Sequence, residues 1–448
     1  MKRFIAILSA AAVLSGTVSC GSKTESSESR KVTEDGRPVL TIAMPETSDE
    51  FISPLAEFER LHPEIEVNIV DYSRLSGSDP VTLLKQNIAE GKIPDMIIAD
   101  PGLISELEKK DMFADMYGLM DQYGGLSRED FLPNILSGFE VDGQLPAVSA
   151  GFKVTTAAAK TSLVGDAQNW TLERFEEIYS GLSDHMTLWL EQGGNPRIAY
   201  HYITKKAADD CIDLENGSCN FTGGTFAKAL SLSMEIQRQN DMFLLAECST
   251  EGEISDYQQQ VQNAFINDST LVNVIHIDSV NENTGNSIFR TFGGEDITFV
   301  GFPSDSGCGA YTECTGLMAI PEKSSMKETA WEFVKYAVTD RTLRQKQSGD
   351  SIPVYRPYFE ECFDPEGTFT EHNISESRTF DGEKTIPEKA VRQLYNYLTG
   401  LEFAPYHDKT ASDIIHEESA AVLAGERSPE ECAKLIQSRV SIYLSEKS

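Results

Sequence analysis

The chain has 448 residues, a length typical of two or three domains, and its 40% hydrophobic and 24% charged residues are an ordinary globular balance. Acidic residues number 71 against 38 basic ones, which gives a formal net charge of -33 at pH 7. Nucleic-acid binding and docking on anionic lipid both need clustered Lys and Arg. The charge therefore excludes a nucleic-acid partner and a basic membrane-binding patch.

The N-terminus has the pattern of a secretory signal. Lys2 and Arg3 precede the apolar run Phe4–Leu14, which is too short to span a bilayer, and small residues then lead to Cys20. This exit is similar to a bacterial lipobox, with Thr17 where Leu is usual. We expect residues 1–19 to be a signal peptide and Cys20 to be lipidated; ordinary cleavage beside an incidental cysteine is the alternative.

The segment that follows predicts a spacer. Residues 20–37 are rich in Ser, Glu and Lys, a composition typical of a disordered tether. No other stretch reaches 18 consecutive apolar residues. We therefore expect a protein held on the outer, extracytoplasmic face of the cell membrane by its lipid anchor.

Seven cysteines remain besides Cys20, so at least one is unpaired within the chain. Two pairs are close enough in sequence to form a local disulfide, Cys211 with Cys219 and Cys308 with Cys314. A fully reduced protein is the alternative. None of the spacings is CxxC and no His lies nearby, so we expect no metal and no cofactor.

The folded part opens with alternating strand and helix patterns. Short β-prone runs are predicted to form strands at 39–44, 65–69 and 95–99. The helical stretch after the first ends at His62-Pro63, and the next begins at Ser78-Asp79-Pro80, which offers an N-cap and a first-turn proline. Short links between these elements predict a parallel sheet. Ligands bind outside the carboxyl ends of such strands, so residues 45–48 and 100–102 are candidate site loops.

A helix-rich region follows Asp142-Gly143. Thr171 is the predicted cap of one of its helices, and buried strands are predicted at 271–277 and 297–302. Two capping boxes are predicted to start later helices: Ser325 with Glu328, and Ser428 with Glu431.

Motifs of catalytic chemistry are missing from the sequence. It contains no GxSxG, no HExxH, no GxxxxGK[ST] and no GxGxxG that opens a helix. Carboxylate pairs occur at almost any spacing among 71 acids and identify no site. We therefore expect a binding protein, with a surface-anchored glycan-cleaving enzyme as the alternative from another class.

Several segments, in this order, resemble bacterial extracellular solute-binding proteins of family 1, the maltose-binding-like receptors of ABC importers. They are LTIAMPETSDEFISPLAEFERLHPEIEVNIV, KQNIAEGKIPDMIIAD, FADMYGLMD, VDGQLPAVSAGF, WTLERFEEI, GFPSDSG, TGLMAIPEKSSMKETAWEFVKYAV, SIPV and HEESAAVLAGERSPEECAKLIQSRVSIYLSE. The resemblance implies a two-lobed α/β fold of the periplasmic-binding-protein type (type II). Each lobe would be a mainly parallel sheet flanked by helices, and hinge crossings would join the discontinuous lobes.

The resemblance also implies where the lobes divide. Crossings are expected near 147–152, 311–316 and 351–356. Lobe one would comprise 38–147 plus 316–351, and lobe two 148–315 plus 352–448. A solute that contacts both lobes favours the closed form, which a permease would recognise.

The candidate ligand-binding residues follow strand ends or lie in the crossings. They are Glu46, Thr47, Ser48, Asp100, Phe152, Trp189, His276, Asp278, Tyr311 and Glu313. Helix capping by Thr47 or Ser48 and a turn at Asp100 are the alternatives for lobe one. An aromatic side chain such as Tyr311 could stack on the apolar face of a sugar ring.

We expect a monomeric receptor that takes up a small polar solute, a mono- or oligosaccharide, and delivers it to the subunits of an ABC permease. A peptide or polyamine receptor is the alternative within the binding class, since a charge of -33 suits a cationic solute.

Overall fold

The structure is a computed structural model, and the residues it describes are 32–46, 49–75, 79–183, 186–189, 200–214, 216–239, 250–280, 288, 291–307, 309–314, 316–343, 351–363, 388–404 and 408–447. The predicted signal peptide, Cys20, the first part of the tether, Thr47 and Ser48 lie outside these residues.

The strands, in chain order, are β1 (Val39–Met44), β2 (Glu66–Asp71), β3 (Met96–Ala99), β4 (Ala147–Val148), β5 (Gly151–Lys160), β6 (Thr187–Trp189), β7 (Ile212–Asp213), β8 (Ser218–Cys219), β9 (Thr270–Ile277), β10 (Ile297–Phe299), β11 (Tyr311–Cys314), β12 (Leu317–Ala319) and β13 (Ile352–Pro353).

The helices are α1 (Asp49–Leu61), α2 (Pro80–Ala89), α3 (Pro101–Glu108), α4 (Met116–Tyr123), α5 (Pro133–Phe139), α6 (Thr161–Val164), α7 (Leu172–Ser180), α8 (Lys205–Asp209), α9 (Thr225–Gln239), α10 (Glu251–Ile266), α11 (Lys327–Thr339), α12 (Arg356–Glu361), α13 (Glu388–Gly400), α14 (Lys409–Leu423) and α15 (Pro429–Lys447). Short 3-10 helices at Tyr72–Arg74 and Arg128–Asp130 and a π-helix at Tyr200–Thr204 complete the described elements.

The first sheet has the strand order β2-β1-β3-β12-β4. β1 is parallel to both β2 and β3, which confirms the parallel arrangement predicted for the start of the domain. Asp79 caps α2 as predicted, because its carboxylate accepts a hydrogen bond of 2.8 Å from the backbone N–H of Thr82.

The second sheet is built around the long strand β5. Its order is β10-β5-β9-β6, and β11 and β13 also pair with β5. β9, β10, β11 and β13 all run antiparallel to β5, and β6 is parallel to β9. The implied mainly parallel second lobe is therefore wrong in this respect, although the α/β class is right.

The chain passes between the two sheets inside the expected crossings. β4 belongs to the first sheet and β5 to the second, with residues 149–150 between them. β11 and β12 are likewise joined by residues 315–316, where Gly316 has φ +71. A Cβ at Gly316 would also lie 2.8 Å from the ring of Phe51, so this crossing requires glycine.

The side of the crossings that faces α13 is packed with aromatic rings. Phe403 lies edge-on to Phe139 of α5 and to Phe152 of β5, with ring centroids 5.2 and 5.7 Å apart. Asn134 of α5 donates hydrogen bonds to the carbonyl oxygens of Leu398 and Leu401. The end of α13 and the segment after it therefore pack on helix α5 and on strand β5 of the second sheet.

Of the helix caps predicted from the sequence, some are confirmed and one is wrong. Ser428 and Glu431 form the predicted capping box at α15, and Thr171 caps α7. The box predicted at Ser325 is wrong, because α11 begins at Lys327 with Met326 as its N-cap and no side-chain cap.

Two further expectations are corrected. Residues 32–37, the end of the expected tether, are folded: Val32 bridges to Pro38, and Arg37 donates a 3.1 Å hydrogen bond to the carbonyl oxygen of Ile65. Cys211 and Cys219 are free thiols and do not form the expected local disulfide. Cys308 lies outside the described residues.

Candidate functional site

The hinge-side edge of the first sheet carries the carboxyl ends of its parallel strands. β12 runs antiparallel to β3, with Leu317 opposite Ala99, so the second crossing enters the sheet beside the end of β3. β4 also ends at this edge, since Val148 lies opposite Met318. The loops after β1 and β3 therefore lie on the same edge as the crossings, which is where ligands bind in such sheets.

The second sheet presents its own polar residues at the crossings. Tyr311 lies opposite Thr155 and Glu313 opposite Lys153 in the β11–β5 pair, and Thr155 lies opposite His276 in the β5–β9 pair. β5 therefore brings together strand ends that are far apart in the sequence.

Burial distinguishes the two faces of β5. Phe152, Val154 and Thr156 are fully or almost fully buried, and the Tyr397 hydroxyl donates a 2.6 Å hydrogen bond to Thr156 Oγ1. Lys153 and Thr155 point to the other face and are partly exposed. This second face, opposite the aromatic packing at α13, is called the front face below.

The front face carries a row of charged side chains on three strands. Glu313 and Lys153 lie opposite each other, and continuing the β5–β9 register by one residue places Asp278 opposite Lys153 on the other side. Both carboxylates are exposed. Within the part of the chain that the structure describes, none of these three side chains forms an ion pair. All three can therefore meet a polar solute.

The adjacent row holds hydroxyl and imidazole groups. Thr155 Oγ1 lies 3.1 Å from Nδ1 of His276, which is exposed. Tyr311 completes this row but is only 7% exposed, and its hydroxyl donates a 3.1 Å hydrogen bond to the carbonyl oxygen of His201. Burial raises the pKa of Tyr311 well above its ordinary value. The Tyr311 ring is therefore covered and does not offer the open stacking surface that the sequence suggested.

The π-helix at Tyr200–Thr204 covers Tyr311, and its exposed member is His201. Although the residue is exposed, the rings of Tyr202 and Tyr311 cover one side of the His201 imidazole, and this partial burial, together with the positive charge of Lys205 and the nearby His416, lowers its pKa to about 4. His201 is therefore neutral at physiological pH.

The remaining candidates are placed as follows. Glu46 follows β1 and is exposed. Asp100 is the N-cap of α3, because its carboxylate accepts a 3.1 Å hydrogen bond from the backbone N–H of Leu103; this is the turn-forming alternative. Phe152 is corrected: it is fully buried among core rings and cannot stack on a solute in this structure. The backbone of Trp189 ends β6, and its side chain lies outside the described part.

Sequence reasoning missed Lys153, Thr155, His201 and Lys205. The first two alternate with buried residues in the segment 151–156, a period-2 signal that could have identified them. No such signal marks the other two, because only the tertiary structure places the π-helix over β11.

Among the described residues, no group of three or more His, Cys, Asp or Glu is arranged to hold a metal ion. No helix in the described part is long and apolar enough to cross a membrane.

The family model of the bacterial extracellular solute-binding proteins matches residues 44–162, from the end of β1 through β5. This match agrees with the resemblance that the sequence indicated. The matched residues include the hinge-side loops of the first sheet and β5, the central strand of the front face. No curated protein matches the chain.

Solved structures of similar fold cover nearly the whole chain. The sugar-binding protein MalE from Xanthomonas citri is 15% identical with a TM-score of 0.56, and the match covers 91% of this chain and 98% of that one. A family 1 solute-binding protein from Alicyclobacillus acidocaldarius is 15% identical with a TM-score of 0.53, and the match covers 93% of this chain and 100% of that one. An ABC substrate-binding protein from Listeria monocytogenes in complex with cycloalternan is 14% identical with a TM-score of 0.51, and the match covers 91% of this chain and 99% of that one. The two-lobed periplasmic-binding-protein fold is thus confirmed.

Proposed function

We propose that this protein is the extracytoplasmic receptor of an ABC import system and that it binds a mono- or oligosaccharide between the front face and the hinge-side loops of the first sheet. The observation that carries the proposal is the pair of polar rows on β5, β9 and β11 beside the crossings. They combine two carboxylates, an ammonium group, a hydroxyl and an imidazole.

This set of groups suits a polyhydroxylated solute. Each sugar hydroxyl both donates and accepts hydrogen bonds, so it needs carboxylate acceptors such as Asp278 and Glu313 and a donor such as Lys153. Two of the structures with a similar fold are a sugar-binding protein and a complex with cycloalternan, which supports a carbohydrate as the first class to test.

Closure follows from the connectivity. A solute that contacts the front face and Glu46 across the hinge binds the closed form more tightly than the open form. It therefore shifts the population toward closure, and the permease would recognise the closed receptor.

Lipid anchoring at Cys20 and a monomeric state belong to the same proposal. Replacing Cys20 by Ala should release the protein from cells into the medium.

The test is thermal unfolding of residues 32–448 with maltose, cycloalternan, spermidine and a tripeptide. A solute at 100 times its Kd should stabilise the folded state by about 2.7 kcal/mol. Asp278→Asn should weaken carbohydrate binding, while Asp121→Asn, an exposed control on α4, should leave it unchanged. Stabilisation by spermidine or the peptide alone would refute the carbohydrate class. Products released from a glycan would refute the receptor.

A further inference from the structure

Four aromatic side chains of lobe two form a continuous stack. Tyr202 and Phe302 lie face to face, with centroids 4.3 Å apart and planes 4° from parallel. Tyr311 packs against Phe302 at 5.5 Å, and His201 lies 5.1 Å from Tyr202 and 5.8 Å from Tyr311. Three of these rings are buried and only His201 is exposed. His201 is therefore the outer ring of the stack.

The stack adjoins the front face through Tyr311. The hydroxyl of Tyr311 bonds the backbone of His201, and Tyr311 lies opposite Thr155, which in turn contacts His276. A solute held by the front-face hydroxyl and imidazole groups would have His201 as a neighbouring exposed ring. The π-helix itself is a further indication, since such helices are rare and frequent at functional sites.

We propose that the imidazole of His201 is the ring on which a sugar packs in lobe two, and that this contact requires the neutral imidazole. The inference rests on the proposed function and deepens it by naming the specificity-determining ring. It also assigns the role that the sequence gave to Tyr311 to a different side chain.

The physical reason is the match between a flat ring and the apolar C–H face of a pyranose. The buried rings of Tyr202 and Tyr311 pack against His201 and hold it in place, so little side-chain entropy is lost when a sugar packs on it. An imidazolium would instead favour water and would be repelled by the positive charge of Lys205, which acts on His201.

The charged and titratable groups around His201 come from four elements. Lys205 lies on α8 and His416 on α14, and Tyr202 of the π-helix and Tyr311 of β11 pack against the ring. Burial, Lys205 and His416 all lower the pKa of His201, to about 4. The neutral ring thus persists well below the pH at which an ordinary histidine is charged.

The experiment measures Kd by calorimetry for maltose, and for cycloalternan if maltose is not bound, with wild type and three variants. His201→Ala should raise Kd tenfold or more, and His201→Phe should keep it within about threefold because the ring remains. His62→Ala is the control: this partly exposed histidine is paired with Glu64 in lobe one, and its replacement should leave Kd unchanged.

A pH series tests whether the imidazole of His201 stays neutral over the range in which the sugar binds. The ratio of the wild-type Kd to the His201→Phe Kd should stay constant between pH 8 and 5. An imidazole with the ordinary pKa of about 6.5 would raise that ratio about thirtyfold at pH 5. Lys205→Gln should raise the pKa of His201, measured by NMR of labelled histidine, and leave Kd at pH 8 unchanged.

The outcomes separate the inference from the function it rests on. If no carbohydrate binds the wild type, the proposed function fails and this inference fails with it. Carbohydrate binding that is unchanged in His201→Ala overturns the inference alone. If His201→Ala does not fold, His201→Gln removes the ring while keeping a side chain of similar size, and a Kd unchanged in that variant overturns the inference in the same way.

Discussion

Gly138 provides the sharpest test of how α5 meets the segment after α13. A Cβ built at Gly138 would lie 2.6 Å from Cδ1 and 3.0 Å from the carbonyl carbon of Phe403, and closer still to the carbonyl oxygen. Gly118 in α4 is the matched control, because its Cβ would meet nothing nearer than Asp115 Oδ2 at 4.0 Å.

The two substitutions should have opposite effects on the free energy of unfolding. Replacing a helical Gly by Ala stabilises by about 1 kcal/mol at either site through backbone entropy. At Gly138 the added methyl group collides with a backbone carbonyl that cannot rotate away, and overpacking costs about 3 kcal/mol at the upper end of its range. Gly138→Ala should therefore destabilise by about 2 kcal/mol, while Gly118→Ala stabilises by about 1 kcal/mol.

The assay is urea unfolding followed by far-UV circular dichroism and by tryptophan fluorescence. The fluorescence includes Trp331, which is fully buried and donates a 3.0 Å hydrogen bond to the carbonyl oxygen of Gly124. A Gly138→Ala protein as stable as Gly118→Ala would show that Phe403 does not pack against α5. The aromatic contact across the crossings would then be wrong.

Three further changes to the chain test the burial of Asp209, the packing of the N-terminal segment 32–37 and the buried hydrogen bond of Thr156. Burial raises the pKa of Asp209 to about 6, so the folded state loses stability as pH rises from about 4 to 6. In thermal scans at pH 7, Asp209→Asn should be up to about 3 kcal/mol more stable than wild type. An equal gain at pH 4 would contradict this reasoning. A chain that starts at Val32 should have the same melting temperature as the full mature protein. A chain that starts at Pro38 lacks the Arg37 hydrogen bonds and should lose about 1 kcal/mol of folding stability. Equal melting temperatures would show that those hydrogen bonds do not stabilise the fold. Thr156→Val removes the partner of a buried tyrosine hydroxyl and should cost about 1–3 kcal/mol in urea unfolding, with Thr156→Ser as a near-neutral control.

Local signals in the sequence predicted the first lobe well. Alternation of short apolar runs with helical periodicity identified β1, β2 and β3 and their parallel pairing, and Asp79 was correctly placed as a cap. These features depend on residues close in sequence, so a single sequence contains the information. Ser325 shows the limit, because packing of α11 moved its start beyond an apparently suitable capping box.

The second lobe was harder for a physical reason. β5 pairs with strands that begin more than a hundred residues later, and antiparallel and parallel partners leave similar apolar runs in the sequence. The sequence indicates His276 as a residue near a strand end, and Tyr311 and Glu313 as residues of a crossing. Only the register on β5 shows that they share a face with Lys153.

By itself, the sequence predicted the α/β class, the first strands and the resemblance to solute-binding proteins, because charge, periodicity and punctuation are local properties. The tertiary structure alone decided which side chains meet. It buried Phe152 and Tyr311 and left His201 exposed, since burial depends on what packs from distant parts of the chain.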